Sequence, residues 1–376
     1  MGCALYPQDD WFADRLYEEA VAVIRRLRLH PSLVLWAGDN EVDQAYMVFG
    51  GPKRDPNFNR LTREVLPRAV REHDVMRPFL PSSPYYDAEA VRTDAPLPEE
   101  HLWGPRDYFK GDYYRNSVCH FASETGYHGC PAPLSLAQYL PAEHLWPICG
   151  DNGHPHDTWL CHAACQEPGV SVPHAYRITL MMNHVRTMFG TLGETLSEFA
   201  KRSQISQGEA KKYFIERFRL SKWRRTGIIW WNLLDGWPQI SDAVVDYYGD
   251  KKLAYHYIKR SQQPLCMMFD EPNEQGLTLY CVNDAPAGCS LHYTVRDITT
   301  DTLLAEGDCA VSADSSEAVI TLTPPEGYHF LYIEWQTEDG TRDCNHFATQ
   351  TRDLCYEAYY KDMCRVGFDT FEGFPE

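Results

Sequence analysis

The 376-residue chain has no long run of Lys or Arg, no C-x-x-C pair and no apolar stretch long enough to span a bilayer. Acidic residues outnumber basic ones, 53 to 35, so the formal charge of −18 argues against binding to a nucleic-acid backbone or an anionic membrane. An odd number of cysteines, 13, without a C-x-x-C pair argues against a zinc ribbon and a disulfide framework. We therefore expect a cytoplasmic type of protein with reduced thiols, no metal or cofactor, and no nucleic-acid or membrane partner.

Length and aromatic content are the positive features of the composition. A chain of this length can bury the cores of one large and one small domain. Aromatic residues make up 13% of the chain and Trp occurs 10 times. The apolar faces of sugars stack on such rings, although large cores use them too. The composition thus favours two domains acting on a neutral ligand, with a slight preference for carbohydrate.

The run LVLWAGDNE at positions 33–41 changes from apolar to polar within one segment. Its apolar half predicts a strand buried on both faces, as in a parallel sheet. Its polar end contains Glu41, and an α/β barrel carries its chemistry at the carboxyl ends of such strands. We interpret this run as the segment around which the chain is organised.

Strand and helix patterns alternate over the first 263 residues. Further short apolar runs that turn polar lie at 77–84, 101–103, 118–121 and 227–231. Helical spacing marks 12–27 behind a capping Asp9 or Asp10, 58–70, 176–189, and the segment after a capping-box pattern at 206–209. This alternation predicts a parallel sheet. The irregular stretch from about 130 to 175 is typical of a functional wall or lid.

The pattern changes after residue 263. Short alternating runs such as 277–282 and 331–335 are separated by Asn, Asp, Gly and Pro. This arrangement predicts an antiparallel β-sandwich over 264–376. The predicted fold is therefore α/β over 1–263 and all-β after it.

Two carboxylates follow predicted strands, Glu41 and the Glu124 of FASETGY at 121–127. They are 83 positions apart, and a βα unit of an eight-stranded barrel takes roughly 30 residues, so their strands lie about three units apart and face each other. Retaining glycoside hydrolysis requires such a pair about 5 Å apart. The alternative is that Glu41 caps a helix and Glu124 lies in a surface turn.

Three motifs occur in the order found in one enzyme family. HPSLVLWAGDNE at 30–41 resembles the acid/base strand of glycoside hydrolase family 2, and FASETGY with the following Pro131 is similar to its nucleophile strand. GIIWWNLLDGWP at 227–238, followed by Ser241, DYYG at 246–249 and Lys259-Arg260, resembles the eighth strand of the family's β-mannosidase branch. The resemblance extends to about residue 350. It implies a (β/α)8 TIM barrel over 1–263 and an immunoglobulin-like sandwich over 264–376.

The resemblance also implies roles for individual residues. Glu41 would be the general acid/base and Glu124 the nucleophile of a retaining β-glycosidase, most like a β-mannosidase. Asn40 would hydrogen-bond the sugar hydroxyl beside the anomeric carbon. The remaining expected substrate-binding side chains are aromatic or imidazole groups: Trp36, His101, Trp103, Tyr127 and Trp231.

Two features depart from the family pattern. Asp39 stands where the β-mannosidase branch usually has Asn; facing the site it would raise the pKa of Glu41, whereas turned into the next loop it would have no effect. The family also carries β-domains and the first barrel strands ahead of this point, so about five of eight strands are expected here. Unpaired strand edges are costly, so either a second chain or another copy completes the barrel, or the chain is a fragment.

Other functions remain open at this stage. The chain could be an inactive fragment or a carbohydrate-binding remnant, or it could act on a different sugar as a β-galactosidase, β-glucuronidase or exo-β-glucosaminidase. A metal-dependent hydrolase could use His154, His156, Cys161 and His162, although their spacing matches no strong zinc pattern.

Overall fold

The computed structural model describes residues 5–47, 54–93, 95–163 and 176–375. The chain forms two compact units. The first consists of Met1–Leu102, Ser117–Thr125 and Gly227–Ile229. The second consists of Trp103–Asn116, Gly126–Thr226 and Trp230–Glu376. Over the described residues, no helix is both long enough and apolar enough to cross a membrane.

Four α-helices lie in the described part of the first unit. They are α1 (Asp10–Leu27), α2 (Val42–Met47), α3 (Leu66–His73), which a π-helical stretch (Leu61–Val65) precedes, and α4 (Ala88–Thr93). The Asp9 side chain accepts a hydrogen bond from the N–H of Phe12, which confirms the predicted cap of α1. Ile24 of α1 packs with Ala69 and Val70 of α3. The predicted helical face at 58–70 is correct from Leu61 onward, whereas Phe58 is exposed.

Short strands follow one another in chain order in the first unit. They are β1 (Trp36–Ala37) beside β2 (Phe79–Leu80), and β3 (Glu99–His101), β4 (Phe121–Thr125) and β5 (Gly227–Trp230) in a second sheet. β1 pairs parallel with β2, and β3 with β4. These strands confirm a mixed α/β arrangement. Closure into a complete barrel stays a prediction.

The structure corrects the prediction that the apolar run from 33 onward is buried on both faces. Only Trp36 and Ala37 of that run are in a strand, and Val34 is 73% exposed. Among the described residues, β2 is the one strand that pairs with β1. An apolar run is buried only where neighbouring elements cover it, and the sequence pattern does not contain that information.

Helices of the second unit surround a large core. They are α5 (Asp112–Arg115), α6 (Pro133–Leu136), α7 (Asp157–Cys161), α8 (Tyr176–Phe189), α9 (Leu196–Leu220), α10 (Leu253–Ser261) and α11 (Tyr356–Arg365). The predicted helix at 176–189 is confirmed as α8. The predicted start at 206–209 is wrong, because α9 begins ten residues earlier. There Thr195 accepts a hydrogen bond from the N–H of Glu198.

Two antiparallel sheets form the C-terminal part of the second unit. The strands are β6 (Leu265–Phe269), β7 (Leu277–Asn283), β8 (Cys289–Asp297), β9 (Thr302–Val311), β10 (Ser315–Leu322), β11 (Phe330–Thr337) and β12 (Arg342–Ala348). One sheet has the order β10-β7-β6 and the other β12-β11-β8-β9. Side chains of both sheets share one buried core, as in a sandwich. The predicted strands at 277–282 and 331–335 are confirmed as β7 and β11.

The two units do not follow the predicted boundary at residue 263. A single buried core joins α8, α9, α10 and α11 to β11 of the sandwich, for example through Phe199, Tyr257, Phe330 and Tyr359. The helical segment after Gly126 therefore groups with the sandwich. The sequence pattern shows where the strand pattern changes, but the division into compact units depends on which apolar faces pack together.

Candidate active site

Two neighbouring strands bring Glu41 to Ser83. Trp36 and Ala37 lie beside Phe79 and Leu80, and the alignment continues in a parallel bridge between Asn40 and Ser83. The N–H of Glu41 donates to the carbonyl of Ser83 at 2.8 Å. The polar end of the run 33–41 is therefore held beside the polar end of the run 77–84.

Gly38 allows this close approach. A Cβ atom at position 38 would lie 2.3 Å from the carbonyl oxygen of Pro81, a contact that no side chain tolerates. Three residues later, Glu41 itself has a backbone φ of 58°, in the left-handed region. The backbone thus turns sharply where it presents the carboxylate.

The second pair of strands brings His101 to Glu124. His101 is the register partner of Glu124, and the N–H of Leu102 donates to the carbonyl of Glu124 at 2.7 Å. The hydroxyl of Thr125 donates to the carbonyl of Leu102, which fixes the end of this pairing. Glu124 therefore stands at the carboxyl-terminal end of β4, as the sequence pattern predicts.

Glu41, His101 and Glu124 meet in one cluster. His101 Nδ1 lies 2.8 Å from Glu41 Oε1 and 3.7 Å from Glu124 Oε2. One oxygen of each carboxylate and a ring nitrogen all lie within 4.8 Å of one another. The imidazole is 2% exposed, and the two carboxylates are 15% and 14% exposed. The carboxylates are thus mostly desolvated yet still open to a small ligand.

Side chains that sequence reasoning missed surround this cluster. Ser83 Oγ lies 3.1 Å from His101 Nε2 and donates to Glu99 Oε1 at 2.6 Å, and the hydroxyl of Ser123 donates to the same oxygen of Glu99. Glu99 and His101 are two residues apart in a strand, and such residues point to the same face. That spacing could have identified Glu99, whereas nothing in the sequence indicates the two serines.

Asp39 is turned into the start of α2. Its Oδ1 atom accepts hydrogen bonds from the N–H of Val42 at 3.2 Å and from the hydroxyl of Ser82 at 2.5 Å. Of the two orientations considered for Asp39, the structure has the one directed into the following segment. Burial, reinforced by the charge of Asp43, raises the pKa of Asp39 to about 6 despite these hydrogen bonds.

This raised pKa predicts a pH-dependent stability. The folded state binds the Asp39 proton more tightly than the unfolded chain, where an Asp pKa is about 3.9, so stability falls as the pH rises from about 4 to about 6. In Asp39→Asn this contribution is absent. Urea unfolding at pH 4 to 7 should show the free energy of unfolding of the variant rising relative to the wild type up to about pH 6 and then levelling. Asp14→Asn, at an exposed position of α1, is the control, and a difference that is constant over the whole range would contradict the prediction.

The residues predicted to contact the sugar lie in different surroundings in the structure. In the first unit, the indole N–H of Trp36 donates to Asp74 at 2.9 Å, and its ring packs against the core of α1 and α3. The structure therefore assigns Trp36 to the packing of helices, and its expected role beside Glu41 is not supported. Asn40 is half-buried and joins Ser83 through the backbone bridge.

In the second unit, Tyr127 is 2% exposed, stacks on His184 with ring centroids 3.8 Å apart, and donates its hydroxyl proton to the carbonyl of Asp107. These contacts leave no surface of Tyr127 for a substrate, so this predicted contact is not supported either.

Trp231 and Trp103 keep features that a sugar-binding ring requires. Trp231 is 47% exposed, and its carbonyl accepts a hydrogen bond from the buried ammonium group of Lys211 at 2.6 Å. Burial lowers the pKa of Lys211 to about 7. The ring of Trp103 is half-buried, with the guanidinium of Arg106 3.9 Å from its centroid. A Cβ at Gly126 would lie 2.6 Å from this ring, so a side chain there would displace Trp103.

Metal-ligating side chains converge at one place in the described part of the chain, the cluster of Glu41, His101 and Glu124. His154, His156, Cys161 and His162, considered as a metal site from sequence, do not form such a group there, and His162 Nδ1 instead lies 2.6 Å from the carbonyl of Pro238. The eleven described cysteines are all free thiols. Two carboxylates and an imidazole can either ligate a cation or exchange protons with a substrate.

Comparisons with known proteins find relatives among the β-mannosidases. No family model matches the chain. A β-mannosidase of Capra hircus is 25% identical over 329 residues, which cover 80% of this chain and 35% of that protein. β-Mannosidase B of Thermothelomyces thermophilus is 29% identical over 289 residues, covering 70% of this chain and 32% of that protein. The homologues of this chain are thus glycoside hydrolases.

Solved structures similar to this chain also include a β-mannosidase. The crystal structure of a β-D-mannosidase from Dictyoglomus thermophilum matches 94% of this chain and 42% of that chain, with a TM-score of 0.77 and 25% identity. An exo-chitosanase from Amycolatopsis orientalis, at 15% identity and a TM-score of 0.64, shares the fold. These findings confirm the resemblance to the β-mannosidases of glycoside hydrolase family 2. The chain spans about a third of the length of the curated relatives that it matches.

Proposed function

We propose that the chain is a retaining β-glycosidase that removes a terminal β-linked mannose. The observation that carries this proposal is the approach of Glu41 and Glu124, whose nearest oxygens lie within 4.8 Å. Retaining enzymes hold their two carboxyl groups about 5 Å apart, whereas inverting enzymes keep roughly 6.5–9.5 Å between them for a water molecule. The names of the relatives favour mannose as the sugar.

The proposed reaction has two steps. In the first, Glu124 attacks the anomeric carbon while Glu41 protonates the glycosidic oxygen, so the carbon–oxygen bond breaks and the alcohol leaves. In the second, Glu41 takes a proton from water, the water oxygen attacks the anomeric carbon, and the ester to Glu124 breaks. Asn40 would hold the neighbouring hydroxyl.

The barrel is proposed to be completed by a second polypeptide or another copy of this chain. Exposed apolar side chains in the first unit support this proposal: Val34 and Leu35 before β1, Val118 before β4, and Ile229 within β5. An exposed apolar surface of this kind is unfavourable in water unless a partner covers it. Light scattering of the purified chain measures its assembly state directly.

A substrate panel tests the proposed activity. We expect hydrolysis of nitrophenyl β-mannoside at a rate at least about tenfold above that of the matched galactoside, glucoside, glucuronide and glucosaminide, because an altered hydroxyl leaves polar groups of the site unpaired. The product should keep the β configuration, which NMR of the first-formed sugar detects. A chelator should leave the rate unchanged, since the two-carboxylate reaction requires no metal.

Three other outcomes of the panel have distinct meanings. Preference for another sugar would replace mannose but keep the mechanism. Loss of activity in chelator would favour a metal bound to Glu41, His101 and Glu124. Sugar binding without turnover on every substrate would favour a carbohydrate-binding remnant.

A further inference from the structure

A chain of hydrogen bonds leads from Glu41 through His101 to Glu99. His101 Nδ1 faces Glu41 Oε1 at 2.8 Å, and His101 Nε2 faces Ser83 Oγ at 3.1 Å. Ser83 Oγ in turn lies 2.6 Å from Glu99 Oε1. The imidazole thus has a partner at each nitrogen, and these partners decide where its protons lie.

Counting protons along this chain determines the form of the imidazole. A serine hydroxyl has one proton, and Ser83 donates it to Glu99 Oε1, which also accepts the hydroxyl proton of Ser123. Ser83 can then only accept at the contact with His101. His101 Nε2 therefore carries a hydrogen and donates it to Ser83.

The other carboxylate oxygen of Glu99 favours the same direction. Glu99 Oε2 is buried and has no hydrogen-bond partner among the described residues. All the hydrogen bonds of this carboxyl group therefore fall on Oε1, the atom that faces both serines. An oxygen that accepts two hydroxyl protons has little capacity left to hold a proton of its own.

The fixed hydrogen on Nε2 has a consequence at Nδ1. A separation of 2.8 Å between Nδ1 and Glu41 Oε1 requires a proton between the two atoms, since a bare lone pair and a carboxylate would repel. That proton is the one that Glu41 must hold before it can act as an acid. Because Nε2 already carries the hydrogen of a neutral imidazole, this proton is bonded to Glu41 Oε1 and is donated to the lone pair of Nδ1.

We infer that Glu99 is a positioning residue, which acts through Ser83 to keep His101 protonated at Nε2 and so holds one proton between His101 Nδ1 and Glu41. This inference rests on the proposed function for the role of that proton. The protonation form of His101 itself can be measured without any catalytic activity.

The matched variants differ in one property, the ability of residue 99 to accept a hydrogen bond. Glu99→Gln keeps an acceptor oxygen for Ser83, whereas Glu99→Met has a similar size and no acceptor. In Glu99→Met the hydroxyl of Ser83 is free to donate to His101 Nε2, and the hydrogen on His101 should move to Nδ1. Ser83→Ala removes the link and serves as a second variant should Glu99→Met fail to fold.

Two-bond ¹H–¹⁵N correlation spectra of the full chain with labelled histidine distinguish the two forms. The His101 signal is assigned as the one lost in His101→Gln. We expect the Nε2–H form in the wild type and in Glu99→Gln, and a shift to the Nδ1–H form in Glu99→Met. In Ser83→Ala the population protonated at Nε2 should fall. An Nδ1–H form in the wild type, or identical spectra of the wild type, Glu99→Met and Ser83→Ala, would overturn the inference.

Where the chain turns over substrate, kinetics provide a second readout. Glu99→Met should lower kcat by roughly tenfold or more with little change in KM, and should displace the pH profile, because general acid catalysis loses its ordered proton. Glu99→Gln should stay within about twofold of the wild type. Absence of turnover in the wild type would count against the proposed function and leave the spectra to decide the role of Glu99.

Discussion

Replacing Glu124 by glutamine is expected to abolish mannoside turnover, with a loss on the order of 10⁴-fold or more. The amide is nearly the same size as the carboxylate but cannot form the glycosyl ester, so the first step has no nucleophile. Initial rates on nitrophenyl β-mannoside, with protein quantified by absorbance, measure the loss.

The matched control is Glu89→Gln, which makes the same chemical change at an exposed position in the first turn of α4. Its rate should stay within about twofold of the wild type. The thermal midpoints of both variants should stay close to that of the wild type, which separates lost chemistry from lost folding. Hydrolysis by Glu124→Gln at the wild-type rate would exclude the two-step mechanism.

Replacing Glu41 by alanine should affect substrates according to their leaving groups. A dinitrophenolate leaves without protonation, so the first step on dinitrophenyl β-mannoside should be nearly unchanged. The second step should slow by roughly 10²–10⁴-fold, because no base activates the water, and a burst of dinitrophenol should precede a slow steady state. An alkyl mannoside needs the acid in the first step and should lose turnover by a similar factor.

Azide provides the control for this variant. A small anion that needs no base can occupy the space left by the carboxylate, so azide should restore the second step and yield β-mannosyl azide. Stopped-flow absorbance and NMR of the product measure the two effects. Absence of a burst of dinitrophenol, together with no rescue by azide, would show that Glu41 is not the acid/base.

The positions of the two carboxylates could be predicted because each depends on local pattern. An apolar run that turns polar marks a strand end, and the structure places Glu41 just after β1 and Glu124 within the last residues of β4. The network behind them could not be predicted. Ser83, three residues after β2, hydrogen-bonds to Glu99 of β3, and a sequence contains no distance between two residues 16 positions apart.

The capping-box error has a similar cause. The pattern at 206–209 satisfies the local rule, yet Ser206 and Glu209 lie in the interior of α9 and are buried there. Glu209 Oε1 lies 2.7 Å from His346 Nε2, a partner 137 positions away. The pattern at Thr195 satisfies the same rule, and the helix begins there. Tertiary packing therefore decides which of two equally good capping patterns starts the helix.

The aromatic residues show most clearly what the sequence cannot predict about a binding site. Trp36, Tyr127 and Trp231 were all expected to contact the sugar, and only Trp231 has a large exposed surface. A ring suits a core and a binding site equally well, so composition cannot separate the two uses. The cytoplasmic location and the immunoglobulin-like topology of the sandwich stay predictions.

The left-handed backbone conformation at Glu41 lowers the stability of the fold, although the proposed chemistry needs a glutamate at this position. A side chain at a φ of 58° costs roughly 1 kcal/mol relative to glycine, so this position is held by a residue that the backbone disfavours. A library screened for thermal stability alone should therefore accumulate glycine or asparagine at position 41. Selection for turnover should restore glutamate there. The difference in the frequency of glutamate between the two selections would measure how strongly catalysis is favoured over stability at this residue.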